Sequence, residues 1–226
     1  MENQQEYALM KARGYRGVIA TGLRLYATSF RKVFKATWLY TLLFSLVAAA
    51  IGVLLTTQLL PVGLQMAALP QYKWLLAQEH WPLITAVILL FVINCGLLVF
   101  IYRAAGRGLN LFRSLRAALK AALRHWLLTL GIVIAGGVVM LFVCLLCSLP
   151  VIILTTASLQ AQMGTLIGDP LGMPSYLAAL AGGTWLLTAF LQAYILLSLL
   201  FVGYYAYGSA ETQQQEREQQ KLNIPS

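Results

Sequence analysis

GVIATGLRLYATSFRKVFK, residues 17–35, runs directly into ATWLYTLLFSLVAAAIGVLLTTQLL, residues 36–60. In the first part Ile19, Leu23, Tyr26, Phe30 and Val33 recur at helical spacing, while Arg24, Thr28, Arg31 and Lys35 fall on the opposite side. At about 100° per residue the two sets occupy separate arcs of one helix. Such a helix is expected to lie flat on a membrane, apolar face in the acyl boundary and basic face towards anionic headgroups. The second part is long enough for a tilted span, at 1.5 Å per residue across about 30 Å of hydrocarbon. Trp38 and Tyr40 mark its first interface, and Pro61 and Gly63 predict its end.

Composition agrees with that reading. Hydrophobic residues make up 60% of the chain and charged residues only 10%, against roughly a quarter charged in soluble domains. A net charge of +9 raises the question of nucleic acid. The cations flank apolar runs instead of spreading over a binding face, so orientation and headgroup contact are the better reading. Residues 1–16 are polar and of mixed charge, and the first apolar run is too long and too far in for a cleavable signal peptide. Cys95, Cys144 and Cys147 all sit in apolar runs, which gives no disulfide framework.

Three further apolar runs follow. Residues 81–102 are bounded by Trp81 and Tyr102, residues 126–149 start at Trp126 and meet Pro150, and residues 176–207 close on Tyr204, Tyr205 and Tyr207. Pro150 is expected to end or kink the third span, with 151–157 as an extension past the kink. Residues 61–80 read as a connection lying against the membrane. The stretch 158–175, with Gly164, Gly168, Pro170, Gly172 and Pro174, reads as a loop, and 208–226 as a polar tail, disordered or a frayed helix. Between the second and third runs, residues 103–125 form a second basic element. There Arg113, Arg116, Lys120 and Arg124 share one helical stripe beside Leu111, Phe112, Leu115, Leu119 and Leu123. Seven Lys and Arg precede the first run and six lie between the second and third, whereas the first outer connection holds only Lys73 and the second none. Four spans with both termini cytoplasmic satisfy the positive-inside rule.

Sliding the chain by 85 residues aligns 29–53 with 114–138, with nine identities in 25 positions that include Ser29 with Ser114, Arg31 with Arg116, Lys35 with Lys120 and Gly52 with Gly137. Two readings stay open. One is a duplicated unit of interfacial helix, span, outer loop and span, giving a 2+2 parallel repeat; the other is convergence of two cytoplasmic entry points. Through Ser29–Lys35 and Ser114–Lys120 the chain resembles uncharacterised bacterial polytopic membrane proteins, similar to the membrane domain attached to some glycerophosphodiester phosphodiesterases. The resemblance implies paired spans entered by a basic amphipathic helix. It implies no catalytic residue, since the soluble phosphodiesterase domain has no counterpart in this stretch.

The sequence offers little chemistry. No Asp, Glu, Lys, Arg or His falls in the centre of any span, where an ionisable group would need a functional reason. The uncharged candidates are Gln58, Asn94, Thr155, Thr156, Thr184, Thr188, Gln192 and Ser198, with Asn94 and Gln192 foremost, read first as interhelical hydrogen-bonding groups and second as lining a pathway. Cys144-x-x-Cys147 has the spacing of a redox pair, but its apolar setting at a helix C-terminal end favours two small buried hydrophobes. His80 and His125 fall on opposite sides in this topology, and Glu79 and Asp169 lack further ligands nearby, so no metal site, cofactor or catalytic triad is expected. Small residues four apart, such as Ala48 with Gly52, Gly131 with Ala135, Ala178 with Gly182 and Ala179 with Gly183, predict close helix packing within the bundle or between copies.

The sequence thus predicts an all-α integral membrane protein with four transmembrane helices and two basic cytoplasmic interfacial helices, in a bacterial cytoplasmic membrane. Its expected role is that of a non-enzymatic scaffold or accessory subunit, with Arg24, Arg31, Lys32, Lys35, Arg113, Arg116, Lys120 and Arg124 contacting anionic headgroups or an acidic partner. Other membrane subunits or a second copy are the further partners in view. A transporter for a small or lipidic solute is the first alternative, and a membrane thiol oxidoreductase the second.

Overall fold

The computed structural model describes residues 14–68, 78–108, 126–168, 174 and 176–222. In chain order the helices are α1 (Tyr15–Leu54), a π-helical turn (Leu55–Leu59), α2 (Leu60–Ala68), α3 (Trp81–Gly108), α4 (Trp126–Ile167) and α5 (Leu177–Leu222). No strand occurs among the described residues. Among the described residues four stretches are long and apolar enough to cross a membrane: Arg16–Gln65, Trp81–Arg107, Ile134–Gly164 and Leu177–Ser209.

Hydroxyl side chains inside these helices turn back on their own backbone. Thr37 Oγ1 donates to Val33 O at 2.8 Å, Ser45 Oγ to Thr41 O at 2.9 Å and Thr57 Oγ1 to Val53 O at 2.7 Å. A hydroxyl bonded this way is satisfied without water, so it is tolerated in an apolar helix. Thr37, Thr41 and Ser45 are fully buried along one line of α1. Small residues on such a line let a neighbouring backbone approach.

Several predicted boundaries are corrected. There is no break at Lys35, where the interfacial helix was expected to give way to a span: α1 is one helix of 40 residues. Pro61 does not stop it, because the chain passes through the π turn and continues as α2 to Ala68. Of the two outcomes expected at Pro150, an end is ruled out: the helix extends past it over 151–157, and α4 has 42 residues with Pro150 inside. The expected loop at 158–175 is helical as far as Ile167, where Gly168 adopts φ +98°. That left-handed position after a last helical residue is the usual place for glycine, and α4 ends there and not at Pro150 or Gly164. Of the two readings of the polar tail from residue 208, disordered or helical, the helical one holds as far as Leu222, to which α5 continues over 46 residues. Gln, Glu and Arg are good helix formers, so the polar end carries on the helix that the apolar part begins. The second basic element, 109–125, lies outside the described residues, and with it the first part of the second repeat unit.

The chain divides into two units, Met1–Thr37 with Tyr102–Val143 and Tyr194–Ser226, and Trp38–Ile101 with Cys144–Ala193. In the first unit α5 supplies the centre. Tyr194, Leu197, Ser198, Phe201, Val202, Tyr205, Ala206 and Ser209 are all buried, alternating steps of three and one along a single helical stripe. Val18 packs on Val202, Tyr205 and Ala206, and a Cβ on Gly22 would stand 2.7 Å from the Val202 Cα. In the second unit Leu154, Leu177 and Ala181 form a core, with Val53 and Trp185 packed against it. The α3 segment of this unit is the least covered: Ile88, Leu89, Phe91 and Val92 are 55–62% exposed.

Candidate functional site

The first unit carries the predicted cations of α1. Arg24, Arg31, Lys32 and Lys35 are all exposed, as are Arg16 on the same helix and Arg103 and Arg107 on α3. Arg113, Arg116, Lys120 and Arg124 lie outside the described residues. The surface changes sharply along each helix: on α1 the cations end at Lys35 and exposed Trp38, Leu39, Tyr40 and Leu43 follow, while on α3 exposed Val99 and Phe100 give way to Arg103.

The apolar face opposite those cations is not free. Tyr26 meets Phe201 edge-on with ring centroids 5.1 Å apart, and its Oη donates to the Tyr194 carbonyl at 2.7 Å. Phe30 and Phe34 both pack on the Tyr194 ring, at 5.7 and 5.5 Å. Tyr102 Oη on α3 donates to the Leu196 carbonyl at 3.1 Å. The face expected to enter the acyl boundary is therefore in large part covered by α5. Periodicity identifies an apolar face but cannot tell a bilayer from a neighbouring helix.

The second unit holds a site that sequence reasoning missed. In the π turn the Leu60 N–H bonds to the Leu55 carbonyl, so it is not available to Thr56, four residues back. The next donor along would be residue 61, a proline without an N–H. The Thr56 carbonyl thus loses both helical partners, and α4 replaces them: Gln162 Nε2 donates to it at 3.1 Å and Ser158 Oγ at 3.4 Å. Gln162 Nε2 also reaches Ser158 Oγ at 3.2 Å, and both residues are buried. A visible signal exists in SLQAQ, 158–162, where a hydroxyl and an amide four apart share one helical face.

Beside this turn lies a pocket of about 410 Å³ lined by Leu55, Thr56, Leu59, Leu60, Gly63, Leu64, Thr155 and Trp185. The Trp185 indole is seated against Gly52, where a Cβ would fall 2.1 Å from the ring. Its Nε1 is buried and has no acceptor among the described residues.

Neither Asn94 nor Gln192 lines that pocket. Gln192 Nε2 donates to Ser148 Oγ at 2.7 Å and to the Cys144 carbonyl at 3.3 Å, tying α5 to α4 within the unit. The Asn94 Oδ1 is buried on α3 with no hydrogen-bond partner among the described residues. Cys144 and Cys147 stand one turn apart on α4 as half-buried free thiols, and Cys95 is exposed on α3. Of the small-residue pairs, Gly52 and Gly182 meet neighbours, Trp185 and Val53 respectively, whereas a Cβ on Gly183 meets nothing within 4 Å. No protein-family model, curated protein or solved structure matches the chain.

Proposed function

We propose that the protein is a non-enzymatic multi-pass protein of a bacterial cytoplasmic membrane, with four spans and both termini cytoplasmic, whose basic end holds anionic lipid headgroups. The observation that carries this reading is the change of surface at Lys35–Trp38. Four exposed cations, Arg24, Arg31, Lys32 and Lys35, stop where an exposed Trp and Tyr and then an exposed Leu series begin. Cations in the headgroup layer, aromatic residues at the boundary and leucines in hydrocarbon are the order a bilayer interface favours. Exposed apolar residues in this number are also unfavourable in water.

Each Lys or Arg near an anionic surface adds about 1 kcal/mol of attraction, so four on one face make a strong preference at low salt. The test uses the full-length protein in mixed phosphatidylcholine and phosphatidylglycerol vesicles, with a spin label on one lipid at a time. The wild type should immobilise more phosphatidylglycerol than phosphatidylcholine. The R24Q/R31Q/K32Q/K35Q variant should lose most of that excess, and salt near 1 M, where screening acts within about 3 Å, should do the same to the wild type. An unchanged excess in the variant would overturn the headgroup role.

The alternatives draw less support. A pathway along Asn94 and Gln192 is disfavoured because the Gln192 amide is occupied in a helix-to-helix tie. For a thiol oxidoreductase, Cys144 and Cys147 offer only their spacing.

A further inference from the structure

The pocket beside the π turn plays no part in headgroup binding, yet its chemistry is specific. Its size lies within the range of about 300–1,000 Å³ that small-molecule sites occupy. Most of the wall is leucine, and the lining hydroxyls are already engaged: Thr56 Oγ1 donates to Gly52 O and Thr155 Oγ1 to Val151 O, both at 2.8 Å. Among the lining side chains that leaves one hydrogen-bond donor without an acceptor among the described residues, the indole N–H of Trp185. An occupant must therefore be apolar in body and carry one acceptor.

Two further points narrow its identity. Among the described residues no Lys, Arg or His lines the pocket, so a carboxylate would be buried there without a countercharge from them, which is costly, whereas a neutral carbonyl would need none. Along α1, Leu55 stands about 26 Å beyond Trp38 at 1.5 Å per residue. If Trp38 marks one interface, that distance approaches the far side of a hydrocarbon core about 30 Å thick, near the level of lipid ester groups.

We propose that this pocket holds one acyl chain of a membrane ester lipid, whose ester carbonyl accepts the hydrogen bond of Trp185 Nε1. The proposal rests on the membrane reading above. Gly63 gives it a clean probe: it lines the pocket, and a Cβ there meets nothing within 4 Å. Gly63→Phe thus adds bulk towards the pocket from a helical position that glycine itself weakens. Trp185→Phe keeps a ring against Gly52 and deletes only the N–H and the second ring.

The full-length protein is reconstituted in vesicles containing a trace of phosphatidylcholine with a diazirine in one acyl chain. Vesicle flotation is read first, and failure to float would sink the membrane reading by itself. After photolysis, mapped adducts should concentrate on residues 55–64 and around Thr155 and Trp185, above the level on the exposed α3 face at 88–92. Gly63→Phe should bring them down to that surface level with flotation and helix content unchanged. Trp185→Phe should lower them about fivefold, the equivalent of one ordinary hydrogen bond. A diazirine fatty acid, charged at neutral pH, should label the pocket less than the phospholipid does. Adducts spread in proportion to exposure, pocket labelling unaffected by Gly63→Phe, or a preference for the fatty acid would each overturn the assignment.

Discussion

Gln162 donates through Nε2 to the carbonyl oxygen of Thr56 at 3.1 Å, across from the turn that Pro61 forces open. The bond is a substitute for one that the helix cannot make with itself. Its energetic role therefore depends on the proline, and the two residues should be coupled although they lie on different helices.

Gln162→Leu should destabilise the protein by about 1–2 kcal/mol, since it leaves the carbonyl with the longer Ser158 contact alone. In a Pro61→Ala background the same change should cost close to nothing, because an N–H at position 61 can take the carbonyl. Reversible unfolding of the four species in mixed micelles closes this double-mutant cycle. Equal costs in both backgrounds would refute the coupling.

Glycines should separate by what faces them. Gly22→Ala sets a Cβ against the Val202 backbone and Gly52→Ala sets one into the Trp185 ring, so each should cost about 1–3 kcal/mol. Gly137→Ala and Gly63→Ala open onto free space and should be neutral or stabilising by up to about 1 kcal/mol. Thermal midpoints in detergent rank the four; destabilisation by Gly63→Ala, or none by Gly52→Ala, would contradict the packing described.

Tyr26→Phe removes the hydroxyl that donates to the Tyr194 carbonyl but keeps the ring contacts, and should cost about 1 kcal/mol. Tyr26→Ala also loses the contacts with Phe30 and Phe201 and should cost about 1–3 kcal/mol more. Tyr102→Phe should match Tyr26→Phe, as Tyr102 makes the same kind of bond to the Leu196 carbonyl. Denaturant titration of the reconstituted variants gives the comparison, and a silent Tyr26→Ala would count against an aromatic clasp on α5.

Sequence legibility ran along chemical lines. Apolar runs of this length announce helices whatever surrounds them, so the four long helices and the exposed stripe Arg24, Arg31, Lys32 and Lys35 were readable. Helix ends were not. Pro61 and Pro150 look like stops because each lacks a donor, and at Pro61 local sequence cannot show that Gln162 supplies one from α4. The stretch at 158–175 looked like a loop because its glycines and prolines crowd the far end, although the residues before Gly164 favour helix. The apolar face of 17–35 was recognised correctly, but its partner, the Tyr194–Tyr205 stripe, lies far along the chain and is equally apolar. Gln192 was legible as an interhelical group because an amide in an apolar run must find partners. Which partners it finds, Cys144 and Ser148, is decided by helix register alone.

The π turn also acts as a change of reading frame. It takes up one residue more than an α turn would, so every side chain beyond Leu59 is rotated by about 100° from where an uninterrupted helix would aim it. Excising a single residue there, Gln58 for instance, would heal the winding and swing Gly63 and Leu64 away from Trp185. One codon therefore sets whether this end of the first long helix presents a hollow or a flush wall.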